Sequence, residues 1–189
     1  MDVRQAILKS AEARMRIGGF HACSFREIAS DVGIKSASVY YHFASKAELG
    51  AAMVANYEAR VLAMIGDPED ERDLAAKLDG MRSAFRAGLV RGDGMCLCGV
   101  LATEIHSVPS LVAAATRHYF TACNEWLCRA FAFASIEGPR QKAFRLTALL
   151  QGAMLQAVAL DDVAAFDAAL EEFHNDPPPV WRSSKGRRR

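Results

Sequence analysis

Apolar residues recur at helical spacing along the whole chain, and the alternation that is typical of strands is missing. Ala, Leu, Arg, Glu and Lys dominate the sequence, which favours helix. Glycine and proline interrupt this pattern at Gly18-Gly19, Gly33, Gly66-Asp67-Pro68, Gly92-Asp93-Gly94, Pro109 and Gly138-Pro139. The breaks predict an all-α chain of about nine helices, in which three form an N-terminal head and the others a bundle.

The head carries a second pattern that is more specific than helicity. After a first helix capped by Asp2, the S-x-x-E sequence at 24–27 is typical of a capping box and opens a second helix. Gly33 then supplies a turn, a short helix is predicted over 36–41, and another S-x-x-E at 45–48 opens the fourth helix. Two short helices around a glycine turn form a helix-turn-helix, which places its second helix in the DNA major groove.

Charge is distributed unevenly, although the net charge is only +1. Residues 1–46 carry +3, residues 47–181 carry −7 and residues 182–189 carry +5. A basic head on an acidic body fits a chain that meets phosphate at one end. The basic tail follows the proline run at 177–179 and is predicted to be disordered.

The predicted body contains helices over about 70–90, 95–106, 110–134, 140–160 and 161–174. We therefore predict three parts. Residues 1–48 form a helix-turn-helix DNA-binding domain, residues 49–176 an effector-binding and dimerisation domain, and residues 177–189 a basic tail.

The segment Val39-Tyr40-Tyr41-His42-Phe43, followed by Ser45-Lys46-Ala47-Glu48-Leu49, resembles the N-terminal domain of the tetracycline-repressor (TetR) family of transcriptional regulators. The stretch Phe25-Arg26-Glu27-Ile28-Ala29 agrees as well, and the resemblance covers residues 3–50 without a gap. It implies a homodimer that binds a pseudo-palindromic operator in double-stranded DNA.

Carried over by position, the resemblance implies a set of DNA contacts around the third helix. These are Ser24, Arg26, Lys35, Ser36, Ser38, Tyr40, Tyr41, His42 and Lys46. Tyr40, Tyr41 and Lys46 are expected at phosphates, and Lys35, Ser36 and Ser38 near bases. The alternative from the residues alone is the surface helix of a generic bundle with half-buried aromatic side chains.

In this family the last two long helices form the dimer seam. The residues at helical spacing for it are Phe144, Ala148, Gln151, Gly152, Leu155, Phe166 and Leu170. An internal core face would produce the same pattern.

The resemblance also implies an effector pocket for a small organic or electrophilic molecule. Candidate pocket residues are Phe85, Cys96, Cys98, Leu101, Glu104, His106, Tyr119, Cys123 and Trp126. Glu104 and His106 are the expected polar handles in an otherwise apolar wall. For each of these residues, a place in the core or on a solvated face is the alternative.

The pair Cys96 and Cys98 admits three interpretations. They are small buried apolar residues, or reactive thiols at a helix start, or ligands of a soft metal. The resemblance supports a thiol sensor, because some family members respond to electrophiles through a cysteine at the start of this helix. A zinc site needs four ligands, and Cys123 and Cys128 lie five residues apart and cannot share one helix face. No metal and no cofactor are therefore expected.

The leading hypothesis is a dimeric repressor that an effector releases from its operator, and an activator or architectural DNA binder without a ligand is the alternative. An enzyme that uses Glu104, His106 or the cysteine pair is not favoured, because no nucleophile, base and orienting group occur together. No apolar run reaches the 18–20 residues of a membrane span, and the first residues do not resemble a signal peptide. A cytoplasmic location is expected.

Overall fold

The computed structural model describes residues 2–175, and the side chains of residues 2–171. Within this range the chain forms nine helices and no strand: α1 Val3–Gly18, α2 Phe25–Val32, α3 Ser36–His42, α4 Lys46–Ile65, α5 Leu74–Val90, α6 Leu97–Thr103, α7 Ser110–Phe133, α8 Pro139–Leu160 and α9 Val163–Asn175. The predicted all-α fold is confirmed. The basic tail predicted at 177–189 lies outside the described residues.

Helix ends in the head follow the predicted caps. The side chain of Asp2 accepts a hydrogen bond from the Arg4 N–H, and Gly19 ends α1 with φ +74°. Ser24 and Glu27 form the reciprocal capping box of α2. Gly33 adopts a left-handed conformation, φ +73°, that glycine allows at low cost.

The predicted start of α5 at residue 70 is wrong. Asp73 is the N-cap, and its carboxylate accepts from the Ala76 N–H at 2.7 Å. Asp70 lies outside the helix, where its carboxylate pairs with Arg72 and its carbonyl accepts from the buried Lys77 ammonium at 2.7 Å. Three acids precede this helix within four residues, and composition alone does not identify which of them makes the cap.

The described chain divides into two compact units. The first unit consists of Met1–Val61 and Asp93–Phe120, and the second of Leu62–Gly92 and the chain from Thr121 onward. The division falls inside α4 and α7, which contribute to both units. A functional boundary at residue 48 stays a prediction, since α4 runs through that position without a break.

In the first unit, α1, α2 and α3 enclose a small apolar core, and one arginine joins the first two of these helices. Ile7, Met15, Ile28 and Val39 are fully buried in this core. The Arg14 guanidinium donates two hydrogen bonds to Asp31, at 2.7 and 2.9 Å. Together with the Ser10 hydroxyl, it lowers the pKa of Asp31 to about 2. This bidentate pair fixes α2 on α1 and so orients the helix-turn-helix.

In the second unit, α8 packs on α9 and both pack on α5. Arg86 on α5 donates to Asp167 on α9 at 2.7 Å, and this pair joins the two helices at the surface. Phe166 and Leu170, predicted at the dimer seam, are buried within the single chain instead. Because this α9 face is already covered, we correct their assignment from the seam to the core of the unit.

One face of α8 remains uncovered. Phe144, Leu155, Val158 and Leu160 are exposed large apolar side chains on this helix. By length and composition α8 is also the one described helix that could cross a membrane, with 39% of its apolar window buried. Helices in the cores of soluble proteins meet the same criterion, so the exposed face is the more informative property.

Candidate nucleic-acid interface

Helix α3 is too short to be stable alone, and buried anchors hold it in place. Val39 is fully buried, and Phe43, directly after the helix, is nearly so. In the turn before it, the Ile34 N–H donates to the Ala29 carbonyl at 2.9 Å and the Gly33 N–H donates to the Ser30 carbonyl. The turn therefore closes α2 and leads directly into α3.

The opposite side of α3 is open to solvent. Tyr41 is 86% exposed and Tyr40 is 60% exposed, and Lys35 is exposed just before the helix. The Tyr40 ring packs edge-on against Phe25 with 4.7 Å between centroids, whereas Tyr41 and His42 contact each other at 5.3 Å. Ser36 and Ser38 are half-buried on the same helix. This outer side presents hydroxyl, imidazole and ammonium groups of the kinds that contact phosphates and base edges.

Lys46 begins α4 next to this helix. Its ammonium lies 4.5 Å from the centre of the Phe20 ring and donates to the His21 carbonyl at 3.4 Å. The cap of α4 differs in part from the predicted box. The Glu48 N–H donates to the Ser45 hydroxyl, but the Glu48 carboxylate accepts from the Ala44 N–H rather than from that of Ser45.

Ser24 and Arg26 differ in how far they are available to DNA. Arg26 is exposed. The Ser24 hydroxyl donates to the Glu27 carboxylate at 2.6 Å and accepts from the Glu27 N–H. This contact is the largest cause of the lowered pKa of Glu27. Ser24 therefore has a structural role as the cap of α2, and as a DNA contact it offers only its remaining lone pair.

Among the predicted effector residues, Cys96 and Tyr119 come together in the first unit. The Tyr57 hydroxyl donates to the Cys96 thiol at 3.4 Å, and this thiol donates to the Tyr119 hydroxyl at 3.7 Å. Burial raises the pKa of Tyr57 well above its ordinary value. Sequence analysis missed Tyr57, because its place on α4 gives no sign of which residue of another helix it meets.

The two predicted polar handles do not line an apolar interior. His106 is exposed. The Glu104 carboxylate accepts from the backbone N–H of Phe20 at 2.8 Å. Both handle predictions are corrected: Glu104 is bound to the loop after α1, and His106 faces solvent.

The remaining candidates are core residues of one unit or the other. Cys98 and Leu101 are fully buried in the first unit, and Phe85, Cys123 and Trp126 are buried in the second. The Trp126 indole donates to the Gly66 carbonyl at 2.7 Å, which fixes α7 to the end of α4. For these five buried residues, and for Cys96 and Tyr119, the predicted effector role stays a proposal.

The five cysteines differ sharply in access to solvent. Cys23, Cys96, Cys98 and Cys123 are buried, and Cys128 is half-exposed. Burial raises the pKa of Cys23 to about 11, which makes its thiolate scarce near neutral pH. Over the described residues, no group of three or more His, Cys, Asp and Glu side chains is arranged to hold a metal ion.

A thiol reagent such as DTNB is expected to label Cys128 quickly and the four buried cysteines slowly. A local opening that costs about 3 kcal/mol slows labelling about 100-fold. Absorbance at neutral pH should show one fast equivalent, which Cys128→Ser removes and Cys96→Ser leaves in place. Fast labelling at Cys96 or Cys98 in the native protein would instead favour the reactive-thiol interpretation.

Comparison with known proteins identifies the head and the fold. A family model described as bacterial regulatory proteins of the tetR family matches residues 7–53, the segment that contains the helix-turn-helix. The crystal structure of a TetR-family transcriptional regulator from Agrobacterium tumefaciens has 28% sequence identity and a TM-score of 0.83. The match covers 90% of this chain and 95% of that one.

Two further solved structures agree. A TetR transcriptional regulator from Legionella pneumophila has 26% identity and a TM-score of 0.83, with 93% of this chain and 97% of that chain covered. The reduced form of NemR from E. coli has 22% identity and a TM-score of 0.75, with 95% and 100% covered, and shows the shared fold. A search of curated protein sequences gives no significant match.

Regulators of this kind bind DNA and are generally not enzymes. The matched segment is the one whose third helix is anchored by Val39 and exposes Tyr40 and Tyr41. The matched structures cover nearly the whole chain as well as the head. The head therefore matches the tetR family of bacterial regulatory proteins, and the chain has the fold of TetR-family transcriptional regulators.

Proposed function

We propose that this protein is a homodimeric repressor that binds a pseudo-palindromic operator and is released from it by an effector. The observation that carries this proposal is the open side of α3. This side exposes Tyr40 and Tyr41, whereas Val39 and Phe43 are buried and anchor the helix to the core. A surface helix held only for packing does not need two exposed tyrosines beside a lysine and a histidine.

The side chains divide into two roles at the DNA. Tyr40, Tyr41 and Lys46 bind phosphates, where hydroxyl and ammonium groups position the domain without reading sequence. Lys35, Ser36 and Ser38, at the N-terminal end of α3, approach base edges in the major groove. Arg26 and His42 add contacts at the margins. In this proposal residues 1–48 act as the DNA-binding domain and residues 49–176 as the effector and dimer domain.

The uncovered face of α8 supports the dimer. Phe144, Ala148, Gln151, Leu155 and Val158 recur at intervals of three and four residues and so follow one side of the helix. Gly152 lies beside this stripe, and small residues allow two helices to approach closely. Most of these side chains are exposed in the single chain, and an identical stripe on a second copy would cover them.

The effector is a small organic molecule or a thiol-reactive one, and it must bind the state that does not bind DNA more tightly than the DNA-binding state. The Tyr57–Cys96–Tyr119 group is the candidate polar site inside the first unit, since it combines two hydroxyls and a thiol. The alternative function, an activator or architectural DNA binder without a ligand, shares the same α3 and α8. Either form acts on DNA in the cytoplasm and has no catalytic role.

Binding of the purified protein to DNA from its own promoter region tests the proposal directly. We expect a shift that weakens as salt rises, because phosphate contacts release counterions. Lys46→Ala and Tyr41→Phe should weaken binding similarly on all sequences, and Lys46→Ala should lower the salt slope by about 1 per bound head.

The matched control is Arg129→Ala, which removes one positive charge from an exposed pair with Glu69 in the second unit. This variant should bind DNA as the parent does, since exposed ion pairs contribute little to stability. Absence of any salt-dependent shift by the parent protein contradicts the proposed function. Ligand screening on the protein–DNA complex then separates the repressor from the ligand-independent alternative.

A further inference from the structure

Glu104 makes a contact with the head that DNA binding by α3 does not by itself explain. It follows α6 as the C-cap, and its carboxylate accepts from the Phe20 N–H at 2.8 Å. Gly19, just before Phe20, has φ +74°, and a Cβ there would lie only 2.0 Å from the Glu104 Oε1 atom. Glycine at 19 is therefore required both by the backbone conformation and by the close approach of the carboxylate.

Phe20 in turn is fixed between helices of the first unit. It is buried, and its ring lies 3.0 Å from the position that a Cβ on Gly50 of α4 would occupy. The same position lies 2.8 Å from the Val112 side chain of α7. A side chain at residue 50 would separate α4 from this ring and from Val112. The loop after α1 is thus held in two ways: the Phe20 ring packs closely against α4 at Gly50, and the Phe20 N–H donates to Glu104.

The same loop holds the ammonium group of Lys46. This group lies 4.5 Å from the centre of the Phe20 ring, within the range of a cation–π contact, and donates to the His21 carbonyl. Both partners of Lys46 belong to the short segment whose backbone Glu104 binds. A continuous set of contacts therefore runs from the end of α6 to a side chain at the DNA surface, and all of it lies in the first unit.

We propose that Glu104 is a positioning residue for DNA binding, which holds Phe20 and His21 so that they set the Lys46 ammonium for its phosphate contact. The inference rests on the proposed phosphate contact of Lys46. A carboxylate that accepts from a backbone N–H makes a stronger hydrogen bond than a neutral acceptor does. A displacement of the end of α6 loosens this bond and lowers the affinity for DNA.

A double-mutant cycle between Glu104 and Lys46 in the full chain tests the coupling. Glu104→Ala is expected to weaken operator binding about tenfold, the effect of losing one charge-assisted hydrogen bond. Glu104→Gln keeps an acceptor oxygen and should lose less. In the Lys46→Ala background, Glu104→Ala should cause little further loss, because the group it positions is gone.

Two controls separate this coupling from damage to the fold. Glu125→Ala removes an exposed carboxylate from α7 and should leave the operator affinity unchanged. In ¹H–¹⁵N spectra, Glu104→Ala should shift the Phe20 amide resonance and speed its hydrogen exchange, while circular dichroism shows intact helices. If Glu104→Ala unfolds the chain, Glu104→Gln carries the test through the same cycle.

The outcomes distinguish the inference from the function on which it rests. If Glu104→Ala lowers the operator affinity equally with and without Lys46, or does not lower it at all, the inference is overturned. The DNA-binding proposal stands in both cases. If Lys46→Ala leaves both affinity and salt slope unchanged, the phosphate role of Lys46 fails and the inference fails with it. A loss confined to the background that retains Lys46 supports the inference.

Discussion

Replacing Leu155 by glutamate is expected to make the protein monomeric and to lower its affinity for a full operator by at least about 100-fold. Leu155 is 61% exposed in the single chain, at the centre of the apolar stripe on α8. The substitution therefore leaves the internal core intact. In the proposed dimer it would bury a carboxylate in the apolar seam, and an unpaired buried charge is strongly unfavourable.

The loss of DNA affinity follows from geometry. In the proposed dimer, two recognition helices must reach major grooves about 34–36 Å apart, and the seam along α8 would hold them at that separation. A monomer binds one half-site with its intrinsic affinity and loses the effective concentration that the second head contributes. Sedimentation velocity measures the first effect, and titration of full operator against half-site DNA measures the second.

Gln156→Glu is the matched control for Leu155→Glu. It adds the same charge to an exposed position of α8 that lies about 100° around the helix from Leu155. This variant should remain dimeric and keep its operator affinity. A Leu155→Glu protein that stays dimeric would place the seam on another surface of the chain.

Local chemistry made the head of this protein predictable from sequence. Asp2, the Ser24–Glu27 box and Gly33 each specify a helix end within a few residues, and the structure uses all of them as predicted. The start of α5 was missed because Asp70 and Asp73 are both favourable N-cap residues by composition. In the structure Asp73 makes the cap, and the Asp70 carboxylate pairs with Arg72 and Lys77 instead.

Long-range partners explain the corrections in the body. Helical spacing places Phe166 and Leu170 on one apolar face, but spacing does not say whether that face meets α8 of the same chain or a second copy. The same limit applies to Glu104. The sequence predicts it inside a helix over about 95–106, whereas it is the C-cap of α6, and its bond to the Phe20 N–H joins residues 84 positions apart. The helix-turn-helix of the head was predictable because its residues are neighbours in sequence.

Glutamate in place of Ala37 is expected to lower DNA affinity by at least about 100-fold, because like charges brought together at an interface cost several kcal/mol. Ala37 is exposed on α3, between Ser36 and Ser38. In the proposed complex, a small side chain there lets the helix approach the bases. A glutamate adds bulk and places a negative charge where the helix meets phosphates and acceptor-rich base edges.

The fold does not share this penalty, which makes Ala37→Glu a specific test of the reading helix. Residue 37 lies in the first turn of α3, where a carboxylate is favoured by the helix dipole by about 0.3–1 kcal/mol. Thermal unfolding should therefore occur at the parent's temperature or slightly above it, while binding to operator DNA is lost.

Ala37→Ser keeps the small volume and should retain most of the affinity. Ala114→Glu adds the same charge at an exposed alanine on α7, outside the helix-turn-helix, and should bind as the parent does. Tight binding by a folded Ala37→Glu protein would contradict the proposed role of α3 as the reading helix.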